Sequence, residues 1–131
     1  MTKQQIHDDL LYSKTLLWLR RSEQIVSIGL SDDAQKALGE IAHIELPVVG
    51  AVLQRAQEAC VIESYKAATG IEIPVSGRVV AVNEELKAKP DLINEDCYGH
   101  GWLFRIELAN ESELADLLRP AEYAQFMKSR G

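Results

Sequence analysis

Two strand-like runs, EACVIES (58–64) and AATGIEIP (67–74), stand only Tyr65 and Lys66 apart. A connection that short lets the runs meet as an antiparallel hairpin, with those two residues at or near its tip. Similar short runs recur at close intervals. KTLLWLR (14–20) and EQIVSIG (23–29) predict two strands joined by a tight turn at Arg21–Ser22. In IAHIEL (41–46), Ile41, His43 and Glu45 alternate with Ala42, Ile44 and Leu46, the period of a half-buried strand, and Pro47 and Gly50 mark a turn after it. Pro74–Gly77 predicts another turn, RVVAVN (78–83) a β-branched strand, and GWLFRIEL (101–108) a last strand.

Helices are few and short. Ser31 is placed to cap SDDAQKAL, Asp32 and Asp33 suit its first turn, and Gly39 stops it. Asn83 is expected to cap EELKAK, which Pro90 ends, and ESELADLL and PAEYAQFM have helical spacing. Many short strands followed by terminal helices predict a mainly β fold, a compact sandwich with peripheral helices. With no linker or low-complexity tract, residues 1–131 read as one domain. ELPVVGAVL (45–53) and EIPVSGRVV (72–80) share a Glu-aliphatic-Pro-Val-x-Gly-x-Val pattern, which is either a twofold repeat around the Tyr65–Lys66 tip or chance.

A net charge of −6 argues against sequence-independent nucleic-acid binding and against an anionic membrane surface. The N-terminus lacks the apolar run of a signal peptide, and two cysteines make no disulfide framework. A reducing cytoplasm is the expected compartment.

At ESYKAATG and PVSGRVVAVNEEL the chain resembles the H protein of the glycine cleavage system. The likeness extends from Tyr12-Ser13-Lys14 and Trp18, through IGLSDDAQKALGEI and ELPVVG, to LINEDCYGHGWL and the closing helices. The resemblance implies a barrel-sandwich hybrid, as in other lipoyl and biotinyl carriers, with lipoate joined by an amide to Lys66 on an exposed turn. It further implies that Glu63, three residues before the lysine, and Gly77, eleven after it, guide the attaching lipoate ligase or lipoyltransferase. Such a protein is a carrier and a substrate of its partner enzymes, with no catalytic residues of its own.

Three departures bear on the pathway. The family's His-Glu before the tryptophan is Leu16-Leu17 here, which removes polar groups from the cleft that receives an aminomethylated arm. Cys97 replaces the proline of Asn-Glu-Asp-Pro-Tyr-Gly, and Cys60 stands where an apolar residue is usual. These features resemble the divergent lipoate-binding proteins of the heterodisulfide-reductase-like sulfur-oxidation system, and the expectation is a sulfur-bound intermediate shuttled to such a complex. The alternatives are the glycine cleavage H protein itself, passing an aminomethyl group among glycine decarboxylase, aminomethyltransferase and dihydrolipoamide dehydrogenase, an H-like protein of redox defence tied to ADP-ribosylation, and an interaction module without lipoate.

Read as bare residues, Lys66 is a surface lysine, Glu63 a strand-edge charge, and Gly77 a turn glycine needing positive φ. Cys60 is expected to be buried and inert; Cys97, in a polar loop, is expected to be exposed and open to a thiol role. His43 reads as a satisfied, partly buried histidine and His7 as part of a mobile terminus. Cys97-x-x-His100 has half the spacing of a zinc site and no second ligand pair, so no metal is expected. Trp18, Trp102 and Phe104 are assigned to the core.

Overall fold

The computed structural model describes residues 9–130; His7 lies outside them. Two antiparallel sheets form the body. β1 (Leu11–Tyr12), β2 (Leu17–Ser22), β3 (Ile25–Leu30), β9 (Phe104–Leu108), β8 (Gly77–Val82) and β5 (Val52–Leu53) lie in that order in a six-stranded sheet. β4 (Ile41–Glu45), β6 (Glu58–Ser64) and β7 (Ala68–Glu72) make the second, with β6 central. Four short α-helices sit around them: α1 (Asp32–Leu38), α2 (Glu85–Ala88), α3 (Leu92–Glu95) and α4 (Pro120–Arg130), with a 3₁₀ segment over Glu111–Asp116. The mainly β, barrel-sandwich expectation holds.

One core cluster joins the sheets. Leu17, Leu19, Val26 and Ile28 from the larger sheet share it with Ile44, Ile62 and Ile71 from the smaller. Each such side chain, fully removed from water, contributes about 1.5–3 kcal/mol. β2 also buries its other face. Trp18 is fully buried in a second cluster with Leu10, Tyr12, Cys97, Tyr98 and Tyr123, which docks α4. Burial on both faces explains why KTLLWLR shows no polar alternation. The two copies of the Glu-aliphatic-Pro-Val pattern do the same job: each carries the chain out of the small sheet, from β4 or β7, into β5 or β8 of the large one, where β5 and β8 pair.

Several boundaries differ from the sequence reading. The first hairpin turns at Glu23–Gln24, not Arg21–Ser22, because Ser22 still pairs with Ile25. Glu23 takes the left-handed φ of 58° that so tight a turn demands, and its carbonyl accepts the Arg21 Nε–H at 2.6 Å. β2 begins only at Leu17, since Leu16 has a φ of 72° in a turn closed by its N–H to the Ser13 carbonyl. Ser31 caps α1 as expected, its Oγ accepting from the Ala34 N–H at 3.2 Å. Asn83 does not cap α2 with its side chain. Its amide instead donates to the carbonyls of His100 and Trp102 at 2.7 and 2.8 Å, tying α2 to the approach of β9. Trp18 and Phe104 are core, but Trp102 is only half-buried, with the Arg105 guanidinium stacked over its ring at 3.9 Å. Among the described residues no helix is long and apolar enough to cross a membrane.

Candidate functional site

The β6–β7 hairpin turns at Tyr65 and Lys66. Glu63 faces Ala68, and the Ser64 N–H donates to the Ala67 carbonyl at 2.9 Å. Ser64 also holds the tip from within: its Oγ accepts from the N–H groups of both Lys66 and Ala67 at 3.2 Å. A serine placed just before the tip is the sequence signal for this local closure, one that the strand-like pattern of the two flanking runs does not carry. Tyr65 and Lys66 are both exposed.

The tip also leans on the α1–β4 link. The Tyr65 N–H donates to the Glu40 carbonyl at 3.2 Å, and the lysine stem crosses Gly39. A Cβ at Gly39 would stand 2.9 Å from Lys66 Cε and 3.5 Å from its Nζ. Gly39 has a φ of 82°, so glycine serves both the helix stop and the bare surface under the lysine. Asn94 fixes this link. Its amide donates to the Gly39 carbonyl and to Gln35 Oε1, both at 2.9 Å, and its Oδ1 accepts the Ile41 N–H at 2.9 Å. Nothing in the local pattern of LINEDC singles out Asn94, because all three partners lie more than fifty positions earlier in the chain.

Lys66 makes no ion pair among the described residues. An unengaged, exposed primary amine on a narrow tip can enter the active site of a second protein and become an amide, with no partner lost from its own fold.

The other expected residues fall in different places. Glu63 is on the hairpin, across from His43 on β4. Gly77 opens β8 in the other sheet, buried and paired with Leu108. Its φ is not positive, which corrects the turn reading. Glycine is needed there because a Cβ would lie 2.5 Å from the Glu107 carbonyl oxygen of β9. Cys60 is buried, and desolvation pushes its thiol up to about 12. Cys97 is buried too, which overturns the expectation of an exposed thiol: only 6% of it is accessible, and desolvation pushes it to about 12 with help from the Asp32 carboxylate. The cause is Trp18, whose indole N–H donates to the Cys97 carbonyl at 2.8 Å and draws the loop inward. The two thiols belong to separate clusters. His100 turns to Asp96, 3.1 Å away, and His43 is exposed, not partly buried.

Leu17, one of the two departures before the tryptophan, is core at 1% exposure and also lines a recess with Thr15, Thr69, Gly70, Ile71 and Glu72. This recess lies along β7, on the strand that leaves the Lys66 tip. An acidic group is still present there, since Glu72 is on the wall. Its cross-strand partner Glu58 lies outside the recess, over Gly70, its carboxylate filling the space a side chain would take.

Two sheets closed by Pro-Val crossovers, with a free lysine held out on a hairpin tip, define a scaffold for carrying a covalent group. The comparisons agree with that class. The glycine cleavage H-protein family profile matches residues 10–130, and the chain belongs to that family. It is 46% identical over 123 residues to the glycine cleavage system H protein of Carboxydothermus hydrogenoformans, covering 94% of this chain and 95% of that one. It is 45% identical over 125 residues to the glycine cleavage system H protein of Xanthomonas euvesicatoria pv. vesicatoria, covering 95% of each. The crystal structure of a glycine cleavage system H protein from Mycobacterium marinum superposes with a TM-score of 0.85 at 28% identity, over 94% of this chain and 99% of that one. Proteins of this family carry lipoate covalently on a lysine.

Proposed function

We propose that the protein is a lipoate carrier of the glycine cleavage type, modified on Lys66, that presents its arm in turn to the enzymes of that system. The observation that carries this reading is the free lysine at a two-residue hairpin tip, braced by Ser64 and the Gly39–Glu40 link, inside a match to the family along nearly the whole chain. Lipoate on Lys66 would supply a disulfide that opens to two thiols, one of which takes the transferred group. The chain's own part is positional. The hairpin holds the amine away from the core, and tethering keeps the arm at high effective concentration beside each partner's active site. A lipoate ligase or lipoyltransferase attaches the group, and glycine decarboxylase, aminomethyltransferase and dihydrolipoamide dehydrogenase then act on it as their substrate.

The sulfur-oxidation reading rests on Leu16-Leu17 and on the gain of Cys60 and Cys97, with Cys97 accessible. The thiol is buried, and the relatives and the solved structure named above are glycine cleavage system H proteins. Leu16 and Leu17 still favour it, and Glu72 offsets that by offering a carboxylate to an amine in the same recess as Leu17.

The test has two stages. Incubation with lipoate ligase, ATP and lipoate is expected to add one lipoyl mass, lost in Lys66→Arg. The lipoylated protein is then offered to glycine decarboxylase with glycine, and separately to thiosulfate with a sulfurtransferase. Aminomethyl loading is the expected result; a sulfur adduct without aminomethyl loading would reinstate the sulfur pathway.

A further inference from the structure

Beside the arm, three side chains with metal-ligand chemistry converge on the solvent face of the small sheet, and only Glu63 among them has a part in the carrier reading. His43 and Glu45 alternate on β4, so both point away from the core that Ile44 enters. Glu63 on β6 is the direct cross-strand partner of His43. One imidazole nitrogen and one oxygen from each carboxylate lie within 4.8 Å of one another. None of the three side chains has a hydrogen bond or ion pair among the described residues, so no lysine or arginine neutralises the two acids and no acceptor engages the imidazole. Elsewhere on the surface acids do find such partners, as Glu107 does with Arg78 and Asp32 with Lys36.

We propose that His43, Glu45 and Glu63 form a binding site for one divalent transition cation of the zinc type. The donor set is one neutral nitrogen and two carboxylate oxygens, which suits zinc and its first-row neighbours, whereas an all-oxygen set would suit calcium or magnesium. Donors around a tetrahedral zinc stand roughly 3.5 Å apart. Closing from 4.8 Å needs only side-chain rotation on a surface where all three are free to move, while the paired strands hold their Cα positions in register. Three protein ligands leave a fourth position for water or a ligand from outside. The site shares Glu63 with the hairpin that carries Lys66, so a bound cation would sit at the foot of the arm. The binding does not depend on what that arm carries.

The experiment is calorimetric titration of the unmodified full chain with ZnCl₂, with thermal melting of every variant as a check on folding. The expected result is one zinc per chain at micromolar affinity, weakened at least tenfold in each of His43→Ala, Glu45→Gln and Glu63→Gln, with melting in the absence of zinc unchanged. A variant carrying both His7→Ala and His100→Ala is expected to bind as the parent does. Absence of saturable binding at millimolar zinc would overturn the proposal. So would binding that survives the three site substitutions, that is insensitive to both glutamates, or that disappears with His7 and His100.

Discussion

The stem of Lys66 lies across Gly39, so closely that a Cβ on the glycine would come within 2.9 Å of the lysine Cε. The residue that ends α1 is therefore also the surface on which Lys66 rests. A substitution there acts on both, through different physics. At a φ of 82° and ψ of −161° any L side chain is strained, and Gly39→Ala should destabilise the fold by about 1–3 kcal/mol. The methyl group would also displace the lysine stem, so the rate of lipoylation is expected to change by more than the fold stability accounts for. Urea denaturation and a timed lipoylation assay on the same preparation separate the two effects.

Asn94 holds the link beneath the tip through three hydrogen bonds. Asn94→Ala leaves the Ile41 N–H without its acceptor and should cost about 2–3 kcal/mol. Asn94→Asp keeps the acceptor and loses both donations, so it is expected to fall between alanine and the parent in midpoint of urea unfolding. A variant series in which aspartate is as damaging as alanine would place the value of Asn94 in its donors alone.

Lys66 is exposed and makes no ion pair among the described residues. Lys66→Arg is expected to change stability by no more than about 0.5 kcal/mol while abolishing lipoylation. Intact-mass analysis and a melting curve check both halves; a large loss of stability would mean the tip is structural.

The resemblance implies a recognition role for both Glu63 and Gly77, yet their settings differ. Glu63 is accessible on the hairpin, so Glu63→Ala should slow lipoylation with little change in melting. Gly77 is buried against the Glu107 carbonyl, and even Gly77→Ala forces β8 and β9 apart, with a cost of about 1–3 kcal/mol. An unchanged lipoylation rate in Glu63→Ala would remove that residue from the recognition surface.

Both thiols titrate far above the ordinary cysteine value of 9.0, at about 12, because burial penalises the thiolate. Above pH 9 the unfolded chain loses these protons and the folded one keeps them, so the unfolded state binds fewer protons. Stability is then full below pH 9 and falls as pH rises toward about 12, by about 1.4 kcal/mol per pH unit for each thiol. Urea midpoints between pH 8 and 10.5 should decline more steeply in the parent than in a Cys60→Ala, Cys97→Ala double variant. Iodoacetamide at pH 8 should label the native protein slowly and the urea-unfolded chain at once.

What the sequence determined alone was local. Two apolar runs separated by Tyr65–Lys66 can only close as a hairpin, Ser31 and the acids after it start a helix, and Gly39 stops it, because each of these depends on residues a few positions apart. The departures before the tryptophan were legible too, but their meaning was not. Whether Leu17 strips the recess of acidic groups depends on Glu72, which β7 brings to the same wall from a segment more than fifty positions later in the chain. Cys97 looked exposed by its polar neighbours, and the indole of Trp18, 79 positions away, turned it inward. Asn94 could not be recognised before α3 was set beside α1, and the His43–Glu45–Glu63 cluster did not exist until β4 was laid against β6 in one register. Burial, thiol acidity and donor clustering arise from distances between remote segments, and those distances are decided only when the two sheets close on their shared core.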